Sequence, residues 1–200
     1  FESAHPPFQR ITFCSQQVTY SMSVPAKQLL LKTVIPSGLP GPEHFDVVDF
    51  ECPLAAAEGE VTFRILVMSA DPFLRGWVKG RPGTVEVGQR MMGFVAGKVI
   101  ASKSAKWTEG DLFGGMTGLA TVSTLPEEKY KGFWKLNGVL TEENISYGVG
   151  VLGMPGSTAY GGFTDVLAPN KGETIFVSAA AGAVGGLVGQ IAKKAYNCTV

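Results

Sequence analysis

The stretch VSAAAGAVGGLVGQ, residues Val177 to Gln190, constrains this chain more than any other. Seven consecutive residues, Ala179 to Gly185, are alanine and glycine apart from Val184. An apolar run, Thr174–Ser178, precedes them, and an amphipathic pattern, GAVGGLVGQIAKKAY, follows with Val184, Leu187, Val188 and Ile191 on one side. That order predicts a strand, a turn with almost no side chains, and a helix. The first turn of a helix has free backbone N–H groups and the positive end of the helix dipole, so an anion is favoured there when no side chain stands in the way. Gly182 lets backbone approach the phosphates of a nucleotide, and Gly185 lets the helix pack closely on the strand. The pattern is not a complete GxGxxG. Ala180 stands where the first glycine would be, which is tolerable if its φ is negative. A tight strand–helix turn without a ligand is the competing explanation. The residue that would read the ribose falls roughly 20 positions further on, past Val200, so NAD and NADP are not distinguished by these residues.

Around this unit the chain changes style near residue 140. The runs KQLLLKTV (27–34), HFDVVDFE (44–51), EVTFRILVMSA (60–70) and GFVAGKVIAS (93–102) are β-branched or aromatic, separated by Pro/Gly turns, and DLFGGMTG and YKGFWKLN continue the series. They predict a compact, barrel-like β domain over 22–140. From Thr141 the signals are helical. Thr141 with Asn144 suggests an imperfect capping box, and Ser157 or Thr158 suggests a cap for a helix through Tyr160, Phe163 and Val166–Leu167. Helix–strand–helix–strand alternation predicts a parallel α/β layer over 141–200.

Composition narrows the function. Lys+Arg and Asp+Glu are equal at 17 each, so no global field draws the chain to nucleic acid or an acidic membrane. No apolar run is long enough to cross a bilayer. The cysteines, Cys14, Cys52 and Cys198, are odd in number and form no CxxC. With His5 and His44 isolated, no metal site is expected, and the thiols fit a reducing, cytoplasmic setting. The segment FESAHPPFQRITFCSQQVTYS before Met22 has no clear periodicity. Residues 1–21 are expected to be a leader, a tag or a disordered arm, with Met22 the natural start.

Several segments together resemble the zinc-independent medium-chain dehydrogenase/reductases, in the branch of the prostaglandin reductases and plant alkenal double-bond reductases. GMPGSTAY (153–160) with AAAGAVG (179–185) carries the resemblance, ADPFLRG (70–76) points to the branch, and RMMGFVAGKVIAS (90–102) is similar to its Met-Met-Gly strand. The likeness runs over about residues 26–200. It implies a GroES-like catalytic domain followed by the start of a Rossmann doubly wound parallel sheet. It also implies NADPH as cofactor and hydride delivery to the β-carbon of an α,β-unsaturated aldehyde or ketone. By the same resemblance, Ala183, Val184, Gly185 and Gly186 meet the pyrophosphate through their backbone, and Met154 and Thr158 lie near the nicotinamide. The zinc-dependent relatives carry Gly-His-Glu where this chain has Met92-Gly93-Phe94. Phe73 departs from the branch, where a tyrosine hydroxyl often helps orient substrate. Phe73 is a pocket or core residue, Arg75 a substrate, cofactor or structural contact, and Tyr160 a packing residue; no catalytic acid is assigned.

A quinone oxidoreductase of the same fold and a non-catalytic nucleotide-binding relative are the alternatives, and a homodimer is expected of a full-length form. Ending after one βα unit and the beginning of a strand, NCTV (197–200), the sequence is expected to be part of a longer reductase. Ile175, Val177 and Val200 would then face too little protein.

Overall fold

The structure, a computed structural model, describes residues 22–200. The expectations for residues 1–21, His5 and Cys14 lie outside the described residues. Strands β1 (Ser23–Leu31) and β2 (Phe45–Pro53) form an antiparallel ribbon with Ser23 opposite Pro53 and Leu31 opposite Phe45. Five further strands make an antiparallel sheet: β3 (Val61–Met68), β4 (Met92–Ser102), β5 (Leu112–Gly118), β6 (Val122–Leu125) and β7 (Trp134–Lys135), in the order β6-β3-β4-β5-β7. β1 joins the two: the Leu29 N–H donates to the Leu119 carbonyl, and Leu29 in turn accepts from the Met91 N–H. This is the GroES-like arrangement.

β3 shows why these residues form strands. Val61, Phe63 and Ile65 alternate inward while Arg64 and Leu66 face out, the period-2 pattern of a sheet with one covered face. Phe63 is fully buried and meets Phe113, Phe133, Tyr130 and Trp107 edge-on, with ring centroids 4.6–5.8 Å apart. A rim polar cluster closes the same domain. Asp111 accepts from Lys135 Nζ at 2.7 Å, from Asn137 Nδ2 at 2.5 Å and from the Thr108 N–H at 2.9 Å.

The expected strand over 130–137 is shorter. Glu127–Tyr130 turns as helix α2, after a four-residue helix α1 (Leu74–Trp77) earlier in the chain, and only Trp134–Lys135 pairs. β6 was not anticipated, because its polar Ser123 and Thr124 hide a strand that pairs residue by residue with β3.

Beyond residue 140, Glu142–Gly148 is a 3₁₀ helix rather than an α-helix. Its cap is the expected one, for Asn144 Oδ1 accepts the Thr141 N–H at 2.7 Å. Ile145 and Val149 pack onto Ala96, Leu112, Leu136 and Leu140 of the β domain, and Lys98 Nζ reaches Glu142 at 2.8 Å. The next helix, α3 (Met154–Gly161), starts earlier than expected. Gly153 is its N-cap, and Pro155, in the first turn, sits where a missing N–H costs nothing. Ser157 and Thr158 are therefore inside the helix, not caps. A π turn, Gly162–Leu167, extends it, and Tyr160, expected to pack, is 62% exposed.

Residues 173–175 pair in parallel with Thr199: the Ile175 N–H donates to Thr199 O at 2.8 Å, and the Thr199 N–H to Glu173 O at 3.0 Å. Helix α4 (Ala183–Tyr196) packs Val188, Ile191 and Ala192 with Phe163, Ile175 and Cys198. The expected strand Thr174–Ser178 is reduced to one bridge residue, Thr174 opposite Thr199, so the unit is a bridged extended segment, a turn and a helix, consistent with the start of a Rossmann sheet. Ile175 is buried, contrary to expectation, because Phe163 and α4 cover it; Phe176, pointing the other way, is 92% exposed. Cys52 and Cys198 are buried free thiols. Among the described residues no helix is long and apolar enough to cross a membrane.

Candidate functional site

The Ala/Gly turn forms one wall of a cleft of about 530 Å³. Ile175–Ala179 and Gly182–Gly185 line it from the α/β unit, Met154 and Pro155 from the start of α3, and Asp71 and Pro72 from the β domain. The turn is built by close backbone contacts. The Gly182 N–H donates to Ala179 O at 2.9 Å, and the Gly186 N–H to Gly182 O at 2.9 Å. The left-handed residue is Ala179, at φ 52°, one position before the place where the glycine pattern is broken. Ala180 is not among the positive-φ residues, so an alanine there is unstrained.

Gly182 is the N-cap of α4, with an extended backbone and no side-chain cap. The N–H groups of Ala183, Val184 and Gly185 bond to no protein acceptor among the described residues. Three unpaired amides at the positive end of a 14-residue helix, next to a turn, Ala179–Ala183, with side chains no larger than a methyl group, are the donor set of an anion site. A Cβ on Gly182 would touch only Ala179 O, at 3.2 Å; the rest of the space there is open. The site thus fits the pyrophosphate of a dinucleotide.

The cleft brings together Met154, Gly182, Ala183, Val184 and Gly185. Gly186 lines an adjoining cavity of about 320 Å³ with Leu187 and Gln190. Val184 and Leu187, expected on the packed side of the helix, face these two cavities instead. Thr158 stands beside the cleft, its hydroxyl donating to Met154 Sδ at 3.4 Å. Phe73 lies edge-on between Trp77 and Phe94, each centroid 5.9 Å away.

Arg75 is outside the cleft. Its Nε donates to Gly38 O at 3.0 Å, and its Nη1 is enclosed with no partner among the described residues. It lines a separate apolar cavity of about 610 Å³ with Leu29, Phe45, Val78, Met91 and Leu119. Asp71 and Pro72 line both cavities, so this short segment is the partition between them. The Asp71 carboxylate accepts the Ser69 hydroxyl and, among the described residues, is the only charged side chain on the cleft.

Sequence reading missed Asp71, Pro72 and Leu167 as cleft residues; the signal was present in ADPFLRG, whose Asp-Pro was read only as a family mark. It also missed a pocket of about 470 Å³ on the other side of Met154, lined by Phe94, Trp134, Leu152, Gly153 and Ser157. Among the described residues no three His, Cys, Asp or Glu side chains come within reach of one metal ion, and His44 Nδ1 accepts the Gly41 N–H at 3.0 Å.

A GroES-like domain thus shares a cleft with the turn and the start of helix α4. The N-terminal domain of oxidoreductase matches residues 27–132. Over 173 residues the chain is 39% identical to the NADP(+)-dependent 2-alkenal reductase of Nicotiana tabacum, covering 84% of this chain and 49% of that protein. It is 36% identical over 171 residues to prostaglandin reductase 1 of Mus musculus, covering 85% and 49%. The crystal structure of CurA from Vibrio vulnificus superposes with a TM-score of 0.74 at 32% identity, covering 86% of this chain and 50% of that one, and the CurA complex with NADPH gives 0.72. The chain belongs to the zinc-independent medium-chain dehydrogenase/reductases, in the branch that holds the alkenal and prostaglandin reductases. It spans about half the length of the curated relatives it matches.

Proposed function

We propose that this chain carries the catalytic domain and the first nucleotide-binding unit of an NADPH-dependent reductase of the carbon–carbon double bond in α,β-unsaturated aldehydes and ketones. The observation that carries the reading is the cleft, where three unpaired amides of α4 stand beside the Ala179–Ala183 turn, whose side chains are no larger than a methyl group, and the Asp71–Pro72 segment of the β domain lines the other side. The relatives' names, 2-alkenal reductase (NADP(+)-dependent) and prostaglandin reductase 1, support it.

In this reading residues 22–140 are the catalytic domain and 141–200 the nucleotide unit, supported by their separate cores, although 142–149 pack onto the first. Gly182 leaves room for the pyrophosphate, and Ala183, Val184, Gly185 and Gly186 meet it through their backbone. Each amide at the dipole end contributes roughly 0.3–1 kcal/mol, so affinity comes from several acting together. Met154, with Thr158 behind its sulfur, stands at the nicotinamide end. NADPH, when bound, supplies the hydride. Phe73 shapes the pocket through Phe94 and donates nothing, and no metal takes part.

The test is a titration of NADPH fluorescence, followed by steady-state assay of the chain and of its full-length form with an enal and with a quinone. Saturable NADPH binding and turnover of the enal support the proposal. Turnover of the quinone alone would make it a quinone oxidoreductase, and tight binding without turnover of either would make it a nucleotide-binding relative.

A further inference from the structure

Reduction of an enone places negative charge on the carbonyl oxygen, and a donor aimed at that oxygen accelerates the step. Phe73 has no hydroxyl to offer. The pocket beside Met154 does contain one. It is lined by Phe94, Trp134, Leu152, Gly153, Met154 and Ser157, and its volume of about 470 Å³ is that of a small-molecule site. Met154 lines both this pocket and the cofactor cleft, so it is the residue the two spaces share. Phe94 and Trp134 give it flat apolar walls, suited to a planar conjugated carbonyl.

The side-chain donors around the pocket are few. Trp134 Nε1 is enclosed and faces Gly114 rather than the opening. Thr158 is committed to Met154 Sδ. Ser178, in the cleft, stands at the Ala/Gly end. The Ser157 hydroxyl has no partner among the described residues, is exposed, and sits one helical turn after Met154 on α3, on the same side of the helix.

Building on the enone-reductase reading, we propose that Ser157 Oγ–H is the hydrogen-bond donor to the substrate carbonyl oxygen. When hydride from NADPH forms a C–H bond at the β-carbon, the π pair of the double bond moves toward the carbonyl and leaves an enolate. Ser157 keeps its proton and donates only the hydrogen bond. Water then protonates the α-carbon, so the substrate gains two electrons and two hydrogens and NADPH becomes NADP⁺. The substrate class follows: a flat, conjugated aldehyde or ketone whose carbonyl reaches α3 while its β-carbon faces Met154.

The experiment uses 4-(dimethylamino)cinnamaldehyde, a chromophoric enal whose absorption moves to the red when its carbonyl accepts a hydrogen bond, added to the whole chain with NADP⁺ so that no turnover occurs. The bound enal should show a red shift that Ser157→Ala abolishes and Ser157→Thr restores. NADP⁺ affinity should be the same in all three proteins. Where the full-length form turns over, kcat of Ser157→Ala should fall roughly tenfold to hundredfold. Position 157 is an exposed helical site at which alanine is a good helix former, so the variant keeps its fold. An equal red shift in wild type and Ser157→Ala overturns the assignment to Ser157 and leaves the enone reading standing. An enal that fails to bind the wild type with NADP⁺ overturns both.

Discussion

Gly185 lies so close beneath Ala179 that a Cβ on it would stand 2.5 Å from the Ala179 carbonyl oxygen and 3.0 Å from the Ala180 Cα. These are backbone atoms that cannot swing aside, and the turn they form begins the anion site. Gly185→Ala should therefore push α4 away from the turn and lower the stability of the α/β unit by about 1–3 kcal/mol. Gly162→Ala is the contrast. Its Cβ meets nothing within 4 Å and its backbone is helical, so stability should rise by up to about 1 kcal/mol. Urea unfolding of the two variants beside the wild type measures both. A Gly185→Ala midpoint equal to wild type would show that the turn is not tight.

At Gly182 an added Cβ meets one atom within 4 Å, the Ala179 carbonyl oxygen at 3.2 Å, a contact relieved by a shift of a few tenths of an ångström, and the φ of −76° is one that valine accepts. Gly182→Val should fold normally and fill the place of the phosphates. Losing several amide contacts of roughly 0.3–1 kcal/mol each weakens NADPH by about one to two orders of magnitude. Lys193→Ala, in the exposed last turn of α4, should leave affinity unchanged. Fluorescence titration compares the three proteins, and an unaltered Kd in folded Gly182→Val would remove the pyrophosphate from this turn.

Asp111 predicts an acid limit. Burial, with the residue only 8% exposed, pushes its carboxyl up; the hydrogen bonds from Lys135, the Thr108 N–H and Asn137, with the Lys135 charge, outweigh this and hold it below the usual carboxylate range. A carboxyl depressed in the folded state stabilises the fold fully above its unfolded value of about 4 and loses that contribution as pH falls through the lower, folded value. Stability should thus decline below about pH 4, and Asp111→Asn should show a smaller decline over that range. At neutral pH, Asp111→Ala leaves Lys135, Asn137 and the Thr108 N–H without their acceptor and should cost about 1–3 kcal/mol. Thermal unfolding at pH 7, 4 and 3 checks both statements.

Legibility differed along the chain for physical reasons. Strands such as β3 and β4 were readable because both are long, apolar and rich in β-branched residues between turn signals. The helix beginning at Gly182 was readable because its turn is nearly free of side chains. β6 was not, since its stability comes from pairing with β3 rather than from its own short, polar sequence. The start of α3 was misplaced because serine and threonine are strong caps in general, while here Pro155 and the extended Gly153 set the boundary four residues before Ser157. At the site, Gly182 and Gly185 could be named from local pattern, and Ala183, Val184, Gly186 and Met154 only through the family resemblance. Asp71, Pro72, Phe94 and Trp134 could not, because the sheet brings them to the cleft and its neighbouring pocket from segments far apart in sequence.

Ala179 holds a methyl group in the left-handed region, where an alanine is disfavoured by roughly 1–2 kcal/mol. Its carbonyl nonetheless accepts from Gly182, and Gly185 fits beneath it. A glycine at 179 would relieve that folded-state strain, but it would also widen the range of shapes open to the unfolded chain, which alanine restricts. The two effects oppose one another at a single position. The alanine-rich turn therefore carries its cost as local torsion in the native state, and in exchange the denatured ensemble is narrower than a fully glycine-built phosphate loop would allow.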